Sequence, residues 1–294
     1  MRVLHLDTGP SMRGGQHQAL LLIRALAPLG VRSSLLAPAG SPLLESALAC
    51  GIDARPLSWS ALRRIARESG LLHCHDARSH TLAALLSPVP IVVSRRVDFP
   101  IHTHFFSRWK YRRAALFLAV SEAVRRRLEA AGVPPAKIAV IPDGVPLPPR
   151  VSTLDGPILA LASSDPRKGA ALIRRSGVAV RFSEDLPADL ATARALLYIS
   201  ESEGLGSAAL LALAHGVPVI ASRTGGLPEI VIDNVTGLLV ENDPAGIAEA
   251  AARLAEDRAL AARLGAAGRA MVEQRFTIER MAERTVEAYR RVLS

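Results

Sequence analysis

ESEGLGSAALLALAHGVPVIASRTGGLPEIVIDNVTGLLV, residues 201–240, is the stretch whose reading decides the fold. The apolar run ARALLYIS before it ends at Ser200. Gly204 and Gly206 then leave bare backbone N–H groups to face an anion, with Leu205 between them and Glu203 as an exposed acid alongside. SAALLALAHG reads as a helix that starts at once, with Ser207 as N-cap and Gly216 as its left-handed terminator. Its positive end points at whatever the glycines cradle, and a diphosphate fits that arrangement. Pro218 opens a short buried strand, VPVIAS; Gly225 and Gly226 turn the chain, and LPEIV begins another short helix. This is half of an open α/β sheet.

Upstream, strands and helices alternate. RVLHLD, the helix QHQALLLIRALAPLG, RSSLLAP, the helix SPLLESALACG and a strand near IDARPLS follow one another. A helix over ALRRIARESG leads to the strand LLHCH, a helix from Ala77 to Leu86, the strand IVVS and, after a basic helix, the strand LFLAVS. That order is doubly wound. IPDGVPLPPRVSTLDGP, rich in proline, is the best linker and puts a domain boundary near Pro148, with domains over 1–147 and 148–276.

The chain is 49% hydrophobic, 21% charged and 4% aromatic, which fits a soluble α/β protein and excludes disorder. The longest uncharged stretch, Gly204 to Ser222, is split by His215, Gly216 and Pro218, so no transmembrane span is expected. MRVLHLD reaches Asp7 before a signal-peptide core forms, and Cys50 and Cys74 lie in no spaced set. A cytoplasmic setting is expected.

Charge is lopsided. Residues 1–150 hold 20 Lys and Arg against 9 Asp and Glu, and residues 151–294 hold 16 against 18, which sums to the net +9. SRWKYRR (107–113) and VRRRLEA (124–130) carry much of the basic face. The first, with Trp109 and Tyr111 among its cations, suits an anionic lipid surface or acidic acceptor; a solvated arginine-rich helix face is the plain alternative. Without a base-reading module, nucleic acid is not an expected partner.

His73, Cys74, His75 and Asp76 sit together, but alternation along a strand leaves only His73 and His75 on one face, with no third ligand in sequence, so no metal is expected. His75 or Asp76 instead lines the carboxyl end of a strand, where doubly wound sheets place ligands, or is an ordinary hydrogen-bonded residue there. His102 and His104, in the loop after Pro100, touch an acceptor or nothing.

EGLG, GVPVIAS, TGGLPEIV and NVTGLLV together resemble the C-terminal signature of the family 4 glycosyltransferases, retaining enzymes of the GT-B fold. HLDTGPSMRGGQHQALLLIRAL, LLHCHDARSH, AVSEAVRRRL and KIAVIPDGV resemble the family's other half, so nearly the whole chain is covered. The resemblance implies two Rossmann-like domains facing a cleft, a C-terminal helix over 277–294 packed back on the first, and closure that excludes water. It also implies hexosyl transfer from a nucleotide-diphosphate sugar, with retention, to the hydroxyl of a glycan or lipid-linked acceptor, in cell-envelope polysaccharide synthesis at the inner face of the membrane. Lys168, aided by Arg167, then stabilises charge on the diphosphate, and Glu203 orients the donor sugar. Gly204, Leu205 and Gly206 add backbone donors. Gly14 and Gly15 let the backbone approach the diphosphate ahead of the first helix, while His75 and Arg96 lie on the substrate side. With no Asp-x-Asp pair, helix dipoles and cations replace a divalent metal, and no cofactor is expected beyond the sugar nucleotide.

Three departures set this chain apart. The second of the family's two glutamates, which holds ribose hydroxyls, is Leu211. Its Gly-Arg falls near Ala162 and Ser163. Its histidine aligns near Arg96, a guanidinium that stays protonated and exchanges no proton near neutral pH. Between Gly169 and Ser200 only about one strand–helix–strand unit fits, so the C-terminal domain is reduced. A non-catalytic homologue that binds sugar nucleotide or glycan, or serves as a partner subunit, is the second reading. Sugar-nucleotide epimerisation is a third, for which acid–base residues are not evident.

Overall fold

The computed structural model describes residues 1–101, 104–163 and 165–294. They divide into two compact units, Met1–Gly144 with Ile278–Ser294, and Val145–Thr277.

The first unit carries a seven-stranded parallel sheet of β1 (Arg2–Leu6), β2 (Arg32–Ala37), β3 (Asp53–Pro56), β4 (Leu71–Cys74), β5 (Ile91–Arg95), β6 (Ala114–Ala119) and β7 (Ile138–Val140). Their spatial order is β3-β2-β1-β4-β5-β6-β7. The chain first winds outward from β1 to β3, then returns to lay β4 on the other side of β1. The strand order therefore reverses between β1 and β4, where such sheets open a crevice at their carboxyl ends. The connecting helices are α1 (Gly14–Leu26), α2 (Pro42–Ala49), α3 (Trp59–Glu68), α4 (Ala77–Leu86), α5 (Phe105–Arg113) and α6 (Glu122–Ala130). Short polar side chains start several of them: Ser41, Ser58, Asp76 and Ser121 each accept a backbone N–H of the first turn.

The second unit repeats the plan with five strands, β8 (Ile158–Leu161), β9 (Val180–Ser183), β10 (Ala195–Tyr198), β11 (Val219–Ser222) and β12 (Gly237–Val240), in the order β12-β11-β10-β8-β9. Here the reversal falls between β8 and β10. Between those two strands the described residues form a 3-10 turn at Pro166–Lys168, α7 (Ala170–Arg175), β9 and the four-residue α8 (Leu186–Asp189). α9 (Ser207–Ala214), α10 (Pro244–Glu256) and α11 (Arg258–Arg275) complete the unit.

Burial follows the doubly wound pattern. Leu196 and Leu197 on β10 are both sealed, as are Val219 and Ile220 on β11, because helices cover both faces. The last helix, α12 (Ile278–Leu293), packs into the first unit's core with Val3, Leu22, Leu71 and Leu116. Its Tyr289 is fully buried, and its hydroxyl finds His73 Nδ1 at 2.6 Å, which satisfies a polar tip that would otherwise cost a few kcal/mol.

Candidate functional site

In the second unit, the loops after β8 and β10 meet at the strand-order reversal. Lys168, after β8, gives its ammonium to both oxygens of Glu203, after β10, at 2.6 and 2.9 Å. Glu203 Oε1 also accepts the Tyr198 hydroxyl at 2.6 Å. The Glu203 side chain is 10% exposed and that of Lys168 30%. Glu203 is thus a buried, doubly held carboxylate and not the exposed acid expected from its surroundings, because the β10 turn folds it back over Tyr198. Burial, with Glu203 beside it, pushes the Tyr198 phenol well above its ordinary range, so it donates to the carboxylate throughout the physiological range. Tyr198 escaped the sequence reading because ARALLYIS looked uniformly apolar; a tyrosine at the strand's last residue was the available signal.

The glycines set the backbone. Gly206, at φ +102°, is the N-cap of α9, so Ser207 is the first helical residue and not the cap. A left-handed N-cap carries no side chain and leaves the first N–H groups of α9 bare, which suits an anion better than a serine occupying them. Gly226 has an ordinary φ of −85° but lies against the preceding loop, where a Cβ would fall on the Gly204 carbonyl. Its N–H donates to the Glu203 carbonyl at 3.0 Å, so the two glycine turns brace each other. Leu205 is buried beneath them. Gly216 has φ +69°, the left-handed terminator expected for α9.

Arg167 turns away from Glu203 to make a bidentate pair with Asp165 at 2.9 and 2.6 Å, which holds that carboxyl down at about 2. Its carbonyl accepts the Glu201 N–H at 2.9 Å, so it ties the β8 and β10 loops together. Leu211 sits half-buried one turn into α9, and Ser163 Oγ accepts the Asp165 N–H at 3.2 Å.

In the first unit, Gly14 and Gly15 form the first turn of α1 rather than a loop ahead of it, and nothing lies within 4 Å of a Cβ on Gly15. His75 and Arg96 follow β4 and β5 at the carboxyl end of the sheet. The Arg96 guanidinium donates from Nε to Asp143 Oδ1 at 2.9 Å and from Nη1 to His75 Nδ1 at 3.3 Å. Arg95 donates from Nη2 to the Phe99 carbonyl and from Nη1 to the Tyr111 hydroxyl. Asp76 caps α4 and accepts the Thr8 N–H at 2.6 Å, bridging the β1 and β4 loops across the reversal. His104 caps α5, accepting the Ser107 N–H. His102 lies outside the described residues.

One sequence-level expectation is corrected here. A third nitrogen does join His73 and His75: His5 lies opposite His73 in the β1–β4 register, and ligand atoms of the three fall within 4.8 Å of one another. Neighbouring strands supply what a single strand does not. Yet every ring nitrogen already has a partner: His5 bonds His75 at 3.0 Å and Ser33 at 3.3 Å, His75 bonds Arg96, and His73 bonds Ser94 at 2.8 Å and Tyr289. A guanidinium against the cluster opposes a cation. A cavity of about 680 Å³ in this unit borders Arg2, Ser33 and Asp53, near the amino ends of β1–β3 and on the edge away from His75 and Arg96.

Burial, then the Arg96 charge, lowers His5 to about 3; burial above all lowers His73 and His75 well below the usual imidazole range and His80 to about 3. These rings are neutral in the fold but titrate near 6.5 in the unfolded chain. Their contribution is fully present above pH 6.5 and is lost as pH falls toward 3, because only the unfolded chain takes up the protons. Asp7 and Asp143, raised by burial, act in the opposite sense from about pH 4 upward and offset part of it. A midpoint of thermal unfolding at least roughly ten degrees lower at pH 4.5 than at pH 7 is expected, with hydrogen-exchange losses in β1, β4 and α12. An unchanged midpoint would count against neutral buried histidines.

Two family models match the chain: Glycosyltransferase Family 4 over residues 12–147 and Glycosyl transferases group 1 over residues 177–271. The chain belongs to the family 4 glycosyltransferases. Alpha-maltose-1-phosphate synthase of Mycobacterium tuberculosis is 40% identical over 110 residues, which is 35% of this chain and 28% of that protein. N-acetyl-alpha-D-glucosaminyl L-malate synthase of Bacillus anthracis is 36% identical over 105 residues, again 35% and 28%. The match therefore takes in little more than a quarter of the length of these curated relatives. The HepE protein of Anabaena, solved in complex with UDP and glucose, superposes with a TM-score of 0.84 at 17% identity, covering 98% of this chain and 99% of that one. At that identity the likeness is one of fold. It places this family 4 member among GT-B structures of matching extent, so the short path from Gly169 to Ser200 is compatible with a whole GT-B fold.

Proposed function

We propose that the protein is a glycosyltransferase that moves a hexosyl group from a nucleotide-diphosphate sugar to an acceptor hydroxyl, with retention and without a metal or further cofactor. The observation that carries this reading is the Lys168–Glu203–Tyr198 cluster beside the bare N-terminus of α9 at the reversal in the second sheet. The Lys168 ammonium has a third N–H for a diphosphate oxygen, while Glu203 fixes its direction and offers its remaining lone pairs to sugar hydroxyls. The exposed N–H groups of α9 meet the same anion. The HepE complex with UDP and glucose supports a uridine nucleotide as the first donor to test. The B. anthracis relative, named for L-malate, supports an acceptor that is itself an anion, with Arg96 and His75 on the acceptor side.

Thermal stability against UDP-, GDP-, ADP- and TDP-sugars tests the donor assignment. A ligand at a hundred times its dissociation constant adds about 2.7 kcal/mol, so one nucleotide class raises the midpoint and the others do not. No shift in a folded protein would defeat it. Leu211 favours a second reading, a homologue that binds donor weakly and does not turn it over, since leucine accepts no hydrogen bond from ribose. Leu211→Glu then tightens the preferred nucleotide about tenfold, the worth of one charge-assisted hydrogen bond; unchanged affinity would show that the ribose lies elsewhere.

A lipid-linked acceptor at the inner membrane face belongs to this proposal. α5 has no buried residue; Phe105 is 87% and Phe106 46% exposed beside Arg108, Lys110, Arg112 and Arg113. No helix among the described residues is long and apolar enough to cross a membrane. Flotation with phosphatidylglycerol vesicles at low salt is expected to carry the protein, and Phe105→Ala with Phe106→Ala to abolish it; equal flotation on neutral vesicles, or none, removes the membrane placement.

A further inference from the structure

The bonds around Arg96 have a direction that chemistry dictates. A guanidinium carries only donors, so His75 Nδ1, 3.3 Å from Arg96 Nη1, is a lone pair. A neutral His75 then carries its proton on Nε2, which lies 3.0 Å from His5 Nδ1, and that nitrogen in turn accepts. His5 therefore holds its own proton on Nε2 and donates it to Ser33 Oγ at 3.3 Å. The chain runs one way, Arg96 to His75 to His5 to Ser33, from the carboxyl end of β5 through β4 and β1 to β2. An added proton on either ring would set donor against donor. In that tautomer His75 Nε2 offers no lone pair to a metal.

Arg96 is fixed from two sides. Asp143 takes Nε and His75 takes Nη1, and the side chain is only 12% exposed. Nη2 is the arm without a partner among the described residues, and it is not sealed from solvent. Its neighbours in the same crevice are Asp7, held by Gln16 and the Gly9 N–H, and Asp76, held by Thr8 and by the first turn of α4. Both carboxylates are thus already satisfied, and the unspent group facing outward is a donor.

We propose that His75 and His5 are positioning residues that lock Arg96 in one orientation, so that its Nη2 receives an anionic oxygen, phosphate or carboxylate, of the acceptor. The proposal rests on the transferase reading and names the acceptor's chemical class. A histidine tautomer set by a fixed cation needs no proton transfer, which agrees with a residue at position 96 that exchanges none. His73 stands outside the chain, its two nitrogens committed to Ser94 and Tyr289, and serves to fasten α12 to the sheet.

Long-range proton–nitrogen NMR on the full chain, with ¹⁵N-histidine, reads the tautomers directly. His5 and His75 are both expected as neutral Nε2–H forms at pH 7. An Nδ1–H form or an imidazolium at either residue overturns the chain, and this measurement needs no variant and no substrate. Inorganic phosphate is the probe for the anion. Titrated into the wild type it shifts the Arg96 side-chain and His75 resonances, whereas Arg96→Ala removes the response. His75→Leu weakens phosphate binding about tenfold, and His75→Asn, whose Oδ1 sits where Nδ1 was, restores most of it. Wild-type resonances that ignore phosphate, or a His75→Leu variant that is folded by circular dichroism and binds phosphate undiminished, would sink the proposal. Failure of the donor panel alone would instead overturn the transferase reading while leaving these outcomes intact.

Discussion

Lys168→Ala is expected to cut turnover with the preferred sugar nucleotide by about 10²–10³-fold, the size of the loss when one preorganised donor to a developing charge is removed. The lysine is held where it acts: two of its N–H groups are spent on Glu203 at 2.6 and 2.9 Å, and the direction of the third follows. Alanine also strands Glu203, a carboxylate only 10% exposed, with the Tyr198 hydroxyl as its remaining partner of the pair. A stability loss of roughly 1–3 kcal/mol accompanies that change. Melting curves measured beside the kinetics separate the two effects. In Glu203→Gln the amide oxygen still accepts from Lys168 and Tyr198 while the second Lys168 bond is lost, so the fold is retained and the activity loss is intermediate. Lys168→Ala enzyme with unreduced turnover would remove the second unit's cluster from the chemistry and leave the non-catalytic reading.

Gly226→Ala is expected to destabilise the second unit by about 3 kcal/mol and to abolish the thermal shift given by sugar nucleotide. The argument is steric alone. Gly226 has φ −85°, which alanine adopts without strain, but its added methyl would fall on the Gly204 carbonyl and crowd Leu205 Cα at 3.0 Å. Backbone atoms on both sides leave no side chain to swing aside, so either the TGG turn or the EGLG loop must retreat. Either movement displaces the N-terminus of α9 and the Glu203 carbonyl that accepts the Gly226 N–H. Gly15→Ala is the control: nothing lies within 4 Å of a Cβ there, so unchanged stability is expected. A Gly226→Ala protein that melts with the wild type and still responds to nucleotide would show that the two turns are free to part.

What could be read before folding was the local chemistry of the turns. Gly204, Gly206, Gly225 and Gly226 announce backbone conformations and close approaches within a few residues of themselves, and the apolar runs of β4, β10 and β11 announce buried strands. Glu203 stood out because it opens the EGLG turn, and Lys168 because the family resemblance implies a cation there. Tyr198 did not, since its aromatic ring is at home in an apolar run and its hydroxyl acquires meaning only beside a carboxylate. His5 was passed over for another reason. It lies 70 residues from His75, and nothing local to RVLHLD indicates that β1 and β4 are neighbours. Tyr289, which closes the His73 bond from 216 residues away, is more remote still.

The amino-acid sequence by itself determined two parallel α/β sheets, the glycine turns at their carboxyl ends and the excess of cations in the first 150 residues, because propensity, turn geometry and charge belong to each residue and its near neighbours. Tertiary structure alone decided strand order. Laying β10 beside β8 brought Lys168 onto Glu203 across 35 residues, and laying β4 beside β1 turned scattered histidines into a directed chain that starts from Arg96. The physical reason is burial: a carboxylate, a phenol or an imidazole acquires its partner, its protonation state and its direction only when packing removes the water that would otherwise have satisfied it.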